Sequence, residues 1–284
     1  MFNTGFPDHW TTLKKLLFAV GSGIAGGGGF WKTVTGTLIH ITDALASPVK
    51  ELSVAVQNSD GVTGCNINVH GVNFYDGEWE YGNISDDTGQ NSGTSTSYFR
   101  SKNYLSVPGG VGFYWYSPTR SGTFRQFYYD KDKNFLGYGG ERWNRVITPW
   151  ANNEEMRKKI AYIRFRVSSS YADYSDSKIS INYPTTVTEY LPHAGTTYPI
   201  SWQTEVGSIT SGTLKIAEDG SVSLETGGAT HQLESITPIS TLAGENNIWA
   251  DVNGEITLTY QAVPETAFSD ETDKGMADYM TLTE

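Results

Sequence analysis

Hydrophobic and polar positions in this chain alternate over short runs with a period close to two. Phe113–Tyr116, Phe124–Asp130 and Ala161–Val167 are rich in aromatic and β-branched residues, and Gly, Asn, Asp and Pro stand between them. Such runs, recurring about every ten to fifteen residues, are typical of β-sandwiches. The pattern therefore predicts an all-β protein.

The alternating runs predict strands along most of the chain. The predicted strands are Thr35–Ile41, Val49–Val56, Asn66–Gly71, Tyr98–Val107, Val111–Tyr116, Phe124–Asp130, Phe135–Tyr138, Ile160–Val167, Ile179–Tyr183, Asn246–Trp249 and Glu255–Tyr260, with a hairpin over Thr213–Leu224. Asn58–Gly61 predicts a turn, the polar stretch Gly82–Ser97 predicts a long loop, and Asn152–Lys159 predicts a short helix with early acids and late bases.

A different periodicity is found near the N-terminus, where apolar residues recur at helical spacing after Pro7-Asp8. The stripe consists of Trp10, Leu13, Leu17 and Val20, and glycines end it at 26–29. A helix this short is marginal alone. We therefore expect its stripe to pack against a partner subunit or its own domain, as a candidate assembly interface.

The same N-terminal segment has some features of a secretory signal, because Lys14 and Lys15 precede an apolar run. The stretch that precedes the apolar run is long, and Gly26–Gly29 stands where an Ala-x-Ala cleavage site would be expected. The apolar run is also shorter than the about 20 residues that span a bilayer. A docking helix followed by a glycine hinge is the preferred interpretation.

Five segments follow from these patterns. They are a helix and hinge at 1–32, a lead-in β layer at 33–73, a β-sandwich at 74–184, a small C-terminal β unit at 185–262 and an acidic tail at 263–284. The boundary near 184 rests on Pro184, Pro192, Gly195 and Pro199, which are typical of a linker.

Composition narrows the class of function. The 284 residues carry a net charge of −11 with a pI near 4.9, which argues against nucleic acid as a partner because phosphate contacts need concentrated Lys and Arg. Aromatic residues make up 13% of the chain, which favours thin β layers packed by large rings. Cys65 is the only cysteine, so no intrachain disulfide forms.

Four motifs carry a family resemblance. They are Trp79-Glu-Tyr-Gly82, Arg100-Ser-Lys-Asn-Tyr-Leu-Ser-Val107, Phe127-Tyr-Tyr-Asp-Lys-Asp-Lys-Asn-Phe135, and Thr148-Pro149 with Ala161-Tyr-Ile-Arg-Phe165. Together they resemble a jelly-roll, carbohydrate-binding-like domain of tail and baseplate proteins from phages and prophages of Gram-positive gut bacteria. The flanks Gly36–Val56, Thr188–Ile200, Ser211–Leu214 and Pro238–Trp249 are similar to segments of the same proteins.

The resemblance implies a jelly-roll β-sandwich at 74–184 and a structural role in the virion tail, in a particle assembled in the host cytoplasm. It implies other tail or baseplate subunits as partners, a homo-oligomer such as a trimer or hexamer, and contact with host surface polysaccharide. No enzymatic activity, cofactor, nucleic acid or membrane partner is expected. The glycine-rich N-terminus departs from the pattern, and no long fibre segment is present.

Candidate glycan-binding residues follow from the chemistry of sugar recognition, in which rings stack on sugars and polar groups flank them. Trp115, Arg125, Tyr129 and Trp143 form the predicted platform, since Arg125 and Tyr129 share one face of a strand. The alternative is that these rings fill the interior of the sandwich, because large aromatics usually serve burial.

No catalytic or metal site is predicted. Glu78 and Glu80 project from one strand face, but nothing else builds a sugar subsite around this carboxylate pair. Asp130–Asn134 imitates the start of a calcium loop but lacks its glycine and final acid, so a hairpin turn is favoured. Asp86 and Asp87 are a weaker calcium candidate, and the five histidines lack metal-ligand spacing.

Two other functions stay open from the sequence. A freestanding carbohydrate-binding module of a secreted protein would require the N-terminal segment to be a cleaved signal. A polysaccharide-cleaving enzyme would require Glu80 to act in catalysis. We expect the structural tail component to be the correct assignment.

Overall fold

The computed structural model describes residues 31–118, 123–168 and 178–262. Strands make up 55% of the protein and helix 2%, so the predicted all-β class is confirmed. The predicted N-terminal helix, its stripe of Trp10, Leu13, Leu17 and Val20, and the acidic tail lie outside the described residues. Among the described helices, none has the length and apolar character needed to cross a bilayer.

The described residues form twenty-one strands and one short helix. The strands are β1 (Trp31–Gly36), β2 (Leu38–Ala44), β3 (Glu51–Val62), β4 (Gly64–His70), β5 (Trp79–Tyr81), β6 (Asn83–Ile84), β7 (Asn91–Ser92), β8 (Tyr98–Ser101), β9 (Leu105–Ser106), β10 (Phe113–Tyr116), β11 (Thr123–Tyr129), β12 (Phe135–Arg142), β13 (Arg145–Ile147), β14 (Tyr162–Ser168), β15 (Ser180–Asn182), β16 (Gly195–Ser201), β17 (Ile209–Ala217), β18 (Val222–Thr226), β19 (Ala229–Leu233), β20 (Gly244–Ala250) and β21 (Ile256–Gln261). Helix α1 is Glu154–Lys158, and the Asn153 side chain caps it by accepting from the Met156 amide.

Ten of these strands build one sandwich, which we call the split sandwich. One sheet has the order β1-β21-β3-β17-β18-β19 and the other the order β16-β4-β20-β2, and all the pairings are antiparallel. Alternate residues of the two sheets, including Val54, Leu214, Ile67 and Ile248, are fully buried in a common apolar core. Period-two burial is what the alternating sequence predicts.

The split sandwich combines two segments that the sequence analysis treated as separate units, 33–73 and 185–262. Strand β3 lies between β21 and β17, and β4 lies between β16 and β20. Each segment alone would therefore leave strand edges and an apolar face exposed. Pairing between distant strands cannot be inferred from periodicity, which reports only local structure.

The remaining eleven strands lie between β4 and β16, and nine of them form a second sandwich, which we call the inserted sandwich. Its larger sheet has the order β12-β11-β14-β8-β5, with β9 also paired to β14, and its smaller sheet has the order β13-β10-β15. Aromatic rings join the sheets. Phe124 stacks on Trp143 with centroids 4.0 Å apart, and Trp115 meets Phe165 edge-on at 5.9 Å.

The segment predicted as one long loop, Gly82–Ser97, contains the hairpin β6–β7. The hairpin closes because the Gly89 amide donates to the Ser85 carbonyl at 2.9 Å and the Ser85 amide donates to the Gln90 carbonyl at 2.9 Å. Its polar sequence lacks the alternation that would have predicted strands.

Three buried asparagines join the two sandwiches where the chain crosses between them. The Asn73 side chain accepts from the Tyr75 and Ile181 amides and donates to the Leu191 carbonyl, at 2.9, 3.0 and 2.9 Å. Asn182 donates to the Glu189 carbonyl, and Asn247 donates to the Gly71 and Tyr183 carbonyls. These bonds satisfy backbone groups that strand pairing leaves free at the crossings.

His70 lies at the same junction, almost completely buried. Its ring stacks on Phe74 at 5.6 Å and lies 5.1 Å from Trp249, and neither ring nitrogen has a hydrogen-bond partner among the described residues. Burial, assisted by the neighbouring charge of His193, lowers the pKa of His70 to about 4. The ring is therefore neutral in the folded protein at pH 7.

Leu214→Ala should lower the free energy of unfolding by about 2–5 kcal/mol, since Leu214 is fully buried between β3 and β18. The neighbouring Lys215→Ala removes only an exposed ion pair with Glu225 and should change stability by less than about 1 kcal/mol. Urea denaturation followed by tryptophan fluorescence measures both values. Equal effects would contradict a continuous core in the split sandwich.

His70 predicts a pH-dependent loss of stability. Because its native pKa lies below the ordinary value of 6.5, the unfolded chain binds this proton more readily. The contribution to stability is complete above about pH 6.5 and is lost as the pH falls toward 4, by about 3 kcal/mol in total.

His70→Phe keeps the ring packing and should remove this component of the pH dependence, measured by urea denaturation at pH 4.5, 5.5 and 7. His231→Gln, on β19 away from the junction, is the control and should retain the wild-type slope. Burial raises the pKa of Asp251, which acts in the opposite direction, but this group is present in every variant. An unchanged slope in His70→Phe would refute the assignment.

Candidate functional site

The structure places the four residues of the predicted glycan platform in three different environments. Trp115 and Trp143 are buried between the sheets of the inserted sandwich, 1% and 5% exposed. Tyr129 is fully buried on the opposite face of the larger sheet, and only Arg125 reaches the surface. Arg125 and Tyr129 do share one strand face, but the predicted platform is not formed because its three rings serve burial.

The outer face of the larger sheet is charged, and we call it the charged face. Glu80, Arg100, Arg166 and Arg125 lie in register across β5, β8, β14 and β11, and Gly140 of β12 ends the row. Like charges directly opposite one another destabilise a sheet unless other groups compensate them. A row of three arginines therefore needs partners from outside the sheet.

The hairpin at residues 83–92 supplies those partners, and we call it the clasp. Arg100 donates to the Asn83 carbonyl at 2.5 Å, and Arg166 donates to the Ile84 carbonyl at 2.6 Å. The Asp86 carboxylate accepts from Arg125 and, at 3.4 Å, from Arg166. One aspartate on the clasp thus bridges two arginines of the sheet.

A second set of contacts holds the other arm of the clasp. Arg164 is 2% exposed and donates to the Asn91 side chain at 2.7 Å and to the Ser101 carbonyl at 2.6 Å. Its guanidinium also lies 5.1 Å from the ring centroid of Tyr104. Within the part of the chain that the structure describes, Arg164 is thus held without a carboxylate, because amide oxygens and a ring face surround its charge.

A small apolar cluster lies beneath the clasp. Ile84, Phe127 and Tyr129 are completely buried there, and the Tyr129 hydroxyl donates to the Gly89 carbonyl at 2.5 Å. Gly89 has a φ of 66°, and a Cβ at this position would come within 2.4 Å of the Phe135 ring. Only glycine therefore allows the clasp to lie this close to the sheet.

The clasp leaves the β11–β12 end of the charged face open. Tyr138 on β12 is 48% exposed, and the Arg125 guanidinium lies 4.9 Å from its ring centroid. The side chains of Arg125 and Asp86 are 39% and 30% exposed, so their ion pair is accessible from the same side. This open end presents an aromatic ring beside a guanidinium and a carboxylate.

The carboxylate pair considered for hydrolysis is divided between separate contacts. Glu80 accepts from Arg100 at 2.8 Å, whereas Glu78 forms an exposed ion pair with Lys102 at 3.5 Å. Glu80 thus belongs to the row of charges that holds the clasp.

The predicted hairpin turn after β11 is confirmed. The Asp130 carboxylate accepts from the Asp132 and Asn134 amides at 2.9 and 2.8 Å, which is the geometry of an Asx turn. Within the described residues, no cluster of three or more His, Cys, Asp or Glu side chains is arranged to hold a metal ion.

Sequence reasoning missed the clasp and the row of arginines. A usable signal was the alternation of Arg164 and Arg166 with Ile163 and Phe165 on one predicted strand, which indicates a charged face on a buried element. A charged face with buried arginines requires a cover.

Comparison with protein-family models, with curated proteins and with solved structures finds no match to this chain.

Asp86→Asn should weaken the clasp, because the amide cannot offer charged acceptors to both Arg125 and Arg166. We expect stability to fall by about 1–3 kcal/mol, the usual worth of hydrogen bonds to charged groups. Amide hydrogen exchange across residues 83–92 should become faster. Asp87→Asn is a matched control, since Asp87 is exposed and forms no ion pair within the described residues. Equal exchange rates in both variants would show that Asp86 does not hold the clasp.

Proposed function

We propose that this protein is a non-enzymatic structural component of a phage tail or baseplate. In this proposal it assembles with other tail subunits as a homo-oligomer, and its inserted sandwich binds host cell-surface glycan. The single observation that carries the glycan-binding part is the open end of the charged face, where the exposed Tyr138 lies beside the half-buried ion pair of Arg125 and Asp86.

The chemistry of this open end suits a sugar. A pyranose ring has apolar C–H faces that stack on aromatic side chains, and Tyr138 offers such a ring at the edge of the sheet. Adjacent hydroxyls can be bound by a planar guanidinium and a carboxylate, as Arg125 and Asp86 provide. Both polar groups are already fixed by their ion pair, which reduces the entropic cost of binding.

The positions of the resemblance motifs support the tail assignment. Arg100 and Arg164, from two of the motifs, anchor the clasp, and the motif at 127–135 supplies the rings beneath it. The flanking segment Thr188–Ile200 forms the return crossing and most of β16. The motif residues are therefore those on which this arrangement depends.

The tail assignment has a direct test. Particles released by the bacterium that encodes this chain should contain it when gradient-purified and analysed by mass spectrometry, and antibodies against it should label their tails. Detection only as free protein in the culture medium would favour a secreted carbohydrate-binding module.

Tyr138→Ala should reduce retention on an array of bacterial surface polysaccharides by about tenfold, because a stacking contact of 1–1.5 kcal/mol is lost. Tyr81→Ala is the matched control: Tyr81 is 51% exposed but lies beside Trp79, off the charged face. Equal losses in the two variants would reject this surface. Release of reducing ends from a retained polysaccharide, abolished by Glu80→Gln, would contradict the non-enzymatic role.

A further inference from the structure

Nothing among the described residues explains why position 140 is a glycine. A Cβ built at Gly140 would meet no atom of the described residues within 4 Å, and its φ does not lie in the left-handed region. Every other described glycine with such open space has a positive φ, as at Gly77, Gly93, Gly207, Gly227, Gly228 and Gly244. A glycine inside a strand often marks the close approach of a ligand or of another backbone.

The missing side chain makes a notch on the charged face, which we call the Gly140 notch. Tyr138 and Arg142 lie two residues to either side on the same face of β12, and Arg125 stands opposite on β11. Tyr138 and Arg142 are both exposed. The backbone of Gly140 therefore forms the base of the notch, and the Tyr138 ring forms one side. The guanidinium groups of Arg125 and Arg142 flank it.

The charges around the notch are predominantly positive. Asp86 is shared between Arg125 and Arg166, so one carboxylate serves two guanidiniums. Arg142 forms no ion pair with any described residue. This local excess of positive charge favours the binding of an anion from outside the chain.

The segment of the chain that forms the inserted sandwich also carries a net positive charge. Residues 74–184 contain 14 of the 20 Lys and Arg but 12 of the 31 Asp and Glu, a net charge of +2. The remaining residues carry −13. The inserted sandwich is thus the part of an acidic protein that an anionic polymer can approach.

We propose that the Gly140 notch binds a glycan carrying carboxylate or phosphate groups, with the sugar ring against Tyr138 and the anion between Arg125 and Arg142. This inference rests on the proposed function and adds the charge class of the ligand. Guanidinium groups bind carboxylate and phosphate through parallel hydrogen bonds, and this geometry is shared by both kinds of anion.

The test uses the full chain and two matched pairs of polymers in affinity electrophoresis. Polygalacturonate is compared with its methyl ester, and dextran phosphate with dextran, so that each pair differs only in its anionic groups. We expect retardation by at least one anionic member, with binding at least tenfold weaker for its neutral counterpart. The pair that responds identifies carboxylate or phosphate as the anion.

Three variants separate the notch from general charge attraction. Gly140→Val should remain folded, because the space is open and a β-branched residue suits a strand, yet it should bind at least tenfold more weakly. Arg142→Gln should bind about three- to tenfold more weakly. Lys159→Gln makes the same charge change on an exposed residue beside α1 and should bind as the wild type.

Several results would overturn the inference. With the wild-type protein, these are no retardation by either anionic polymer, or retardation by an anionic polymer that its neutral counterpart equals. With the variants, they are full binding by Gly140→Val, or a loss of binding in Lys159→Gln equal to that in Arg142→Gln. Retention of only neutral polysaccharides on the array, lost in Tyr138→Ala, would overturn the charge class and leave the proposed glycan binding intact. Retention of no polysaccharide would reject both.

Discussion

The constraint on which the rest of the structure depends is the double crossing of the chain between the two sandwiches. An insertion places two backbone segments side by side where regular strand pairing ends, and their polar groups need partners away from water. Asn73 and Asn182 provide them from within the crossings, and Asn247 reaches across from β20. Because Asn73 and Asn247 link the outgoing and the returning segment, they fix how the inserted sandwich leaves the split sandwich. The orientation of the charged face depends on this arrangement.

The charged face shows how a sheet can carry cations on a covered surface. Buried arginines are costly unless their hydrogen bonds are satisfied, and here the clasp brings carbonyl and carboxylate oxygens to them. The apolar residues beneath the clasp exclude water from the same region, which strengthens those bonds. The clasp and the larger sheet of the inserted sandwich therefore stabilise each other. The clasp has too little apolar area to be stable alone, and the arginine row would be repulsive without it.

The sequence predicted local structure well and long-range pairing poorly. Alternation identified strands β8 to β12, β14 and β15 and the capped helix α1, because both patterns depend on neighbouring residues, but it did not identify β6, β7 or β13. Period-two alternation places the rings of Phe113–Tyr116 on two faces of the strand, but it does not tell which face is the interior. Trp115 lies inside because Phe124 and Trp143 meet it there, a contact between distant segments. The interleaving of 33–73 with 185–262 and the position of the clasp depend on the same kind of contact.

The open end of the charged face combines rigid and free groups in a way that suits recognition. Arg125 is held by Asp86 and by the ring of Tyr138, so its position is set when the protein folds and not when a ligand arrives. Such preorganisation lowers the entropic cost of binding. Arg142 is exposed and unpaired among the described residues, and a mobile cation of this kind acts through longer-range attraction. Gly140 lies between the two and keeps the backbone accessible. The fixed guanidinium of Arg125, the mobile charge of Arg142 and the accessible backbone of Gly140 together give this sheet surface the properties of a binding site. A deep cavity is not required.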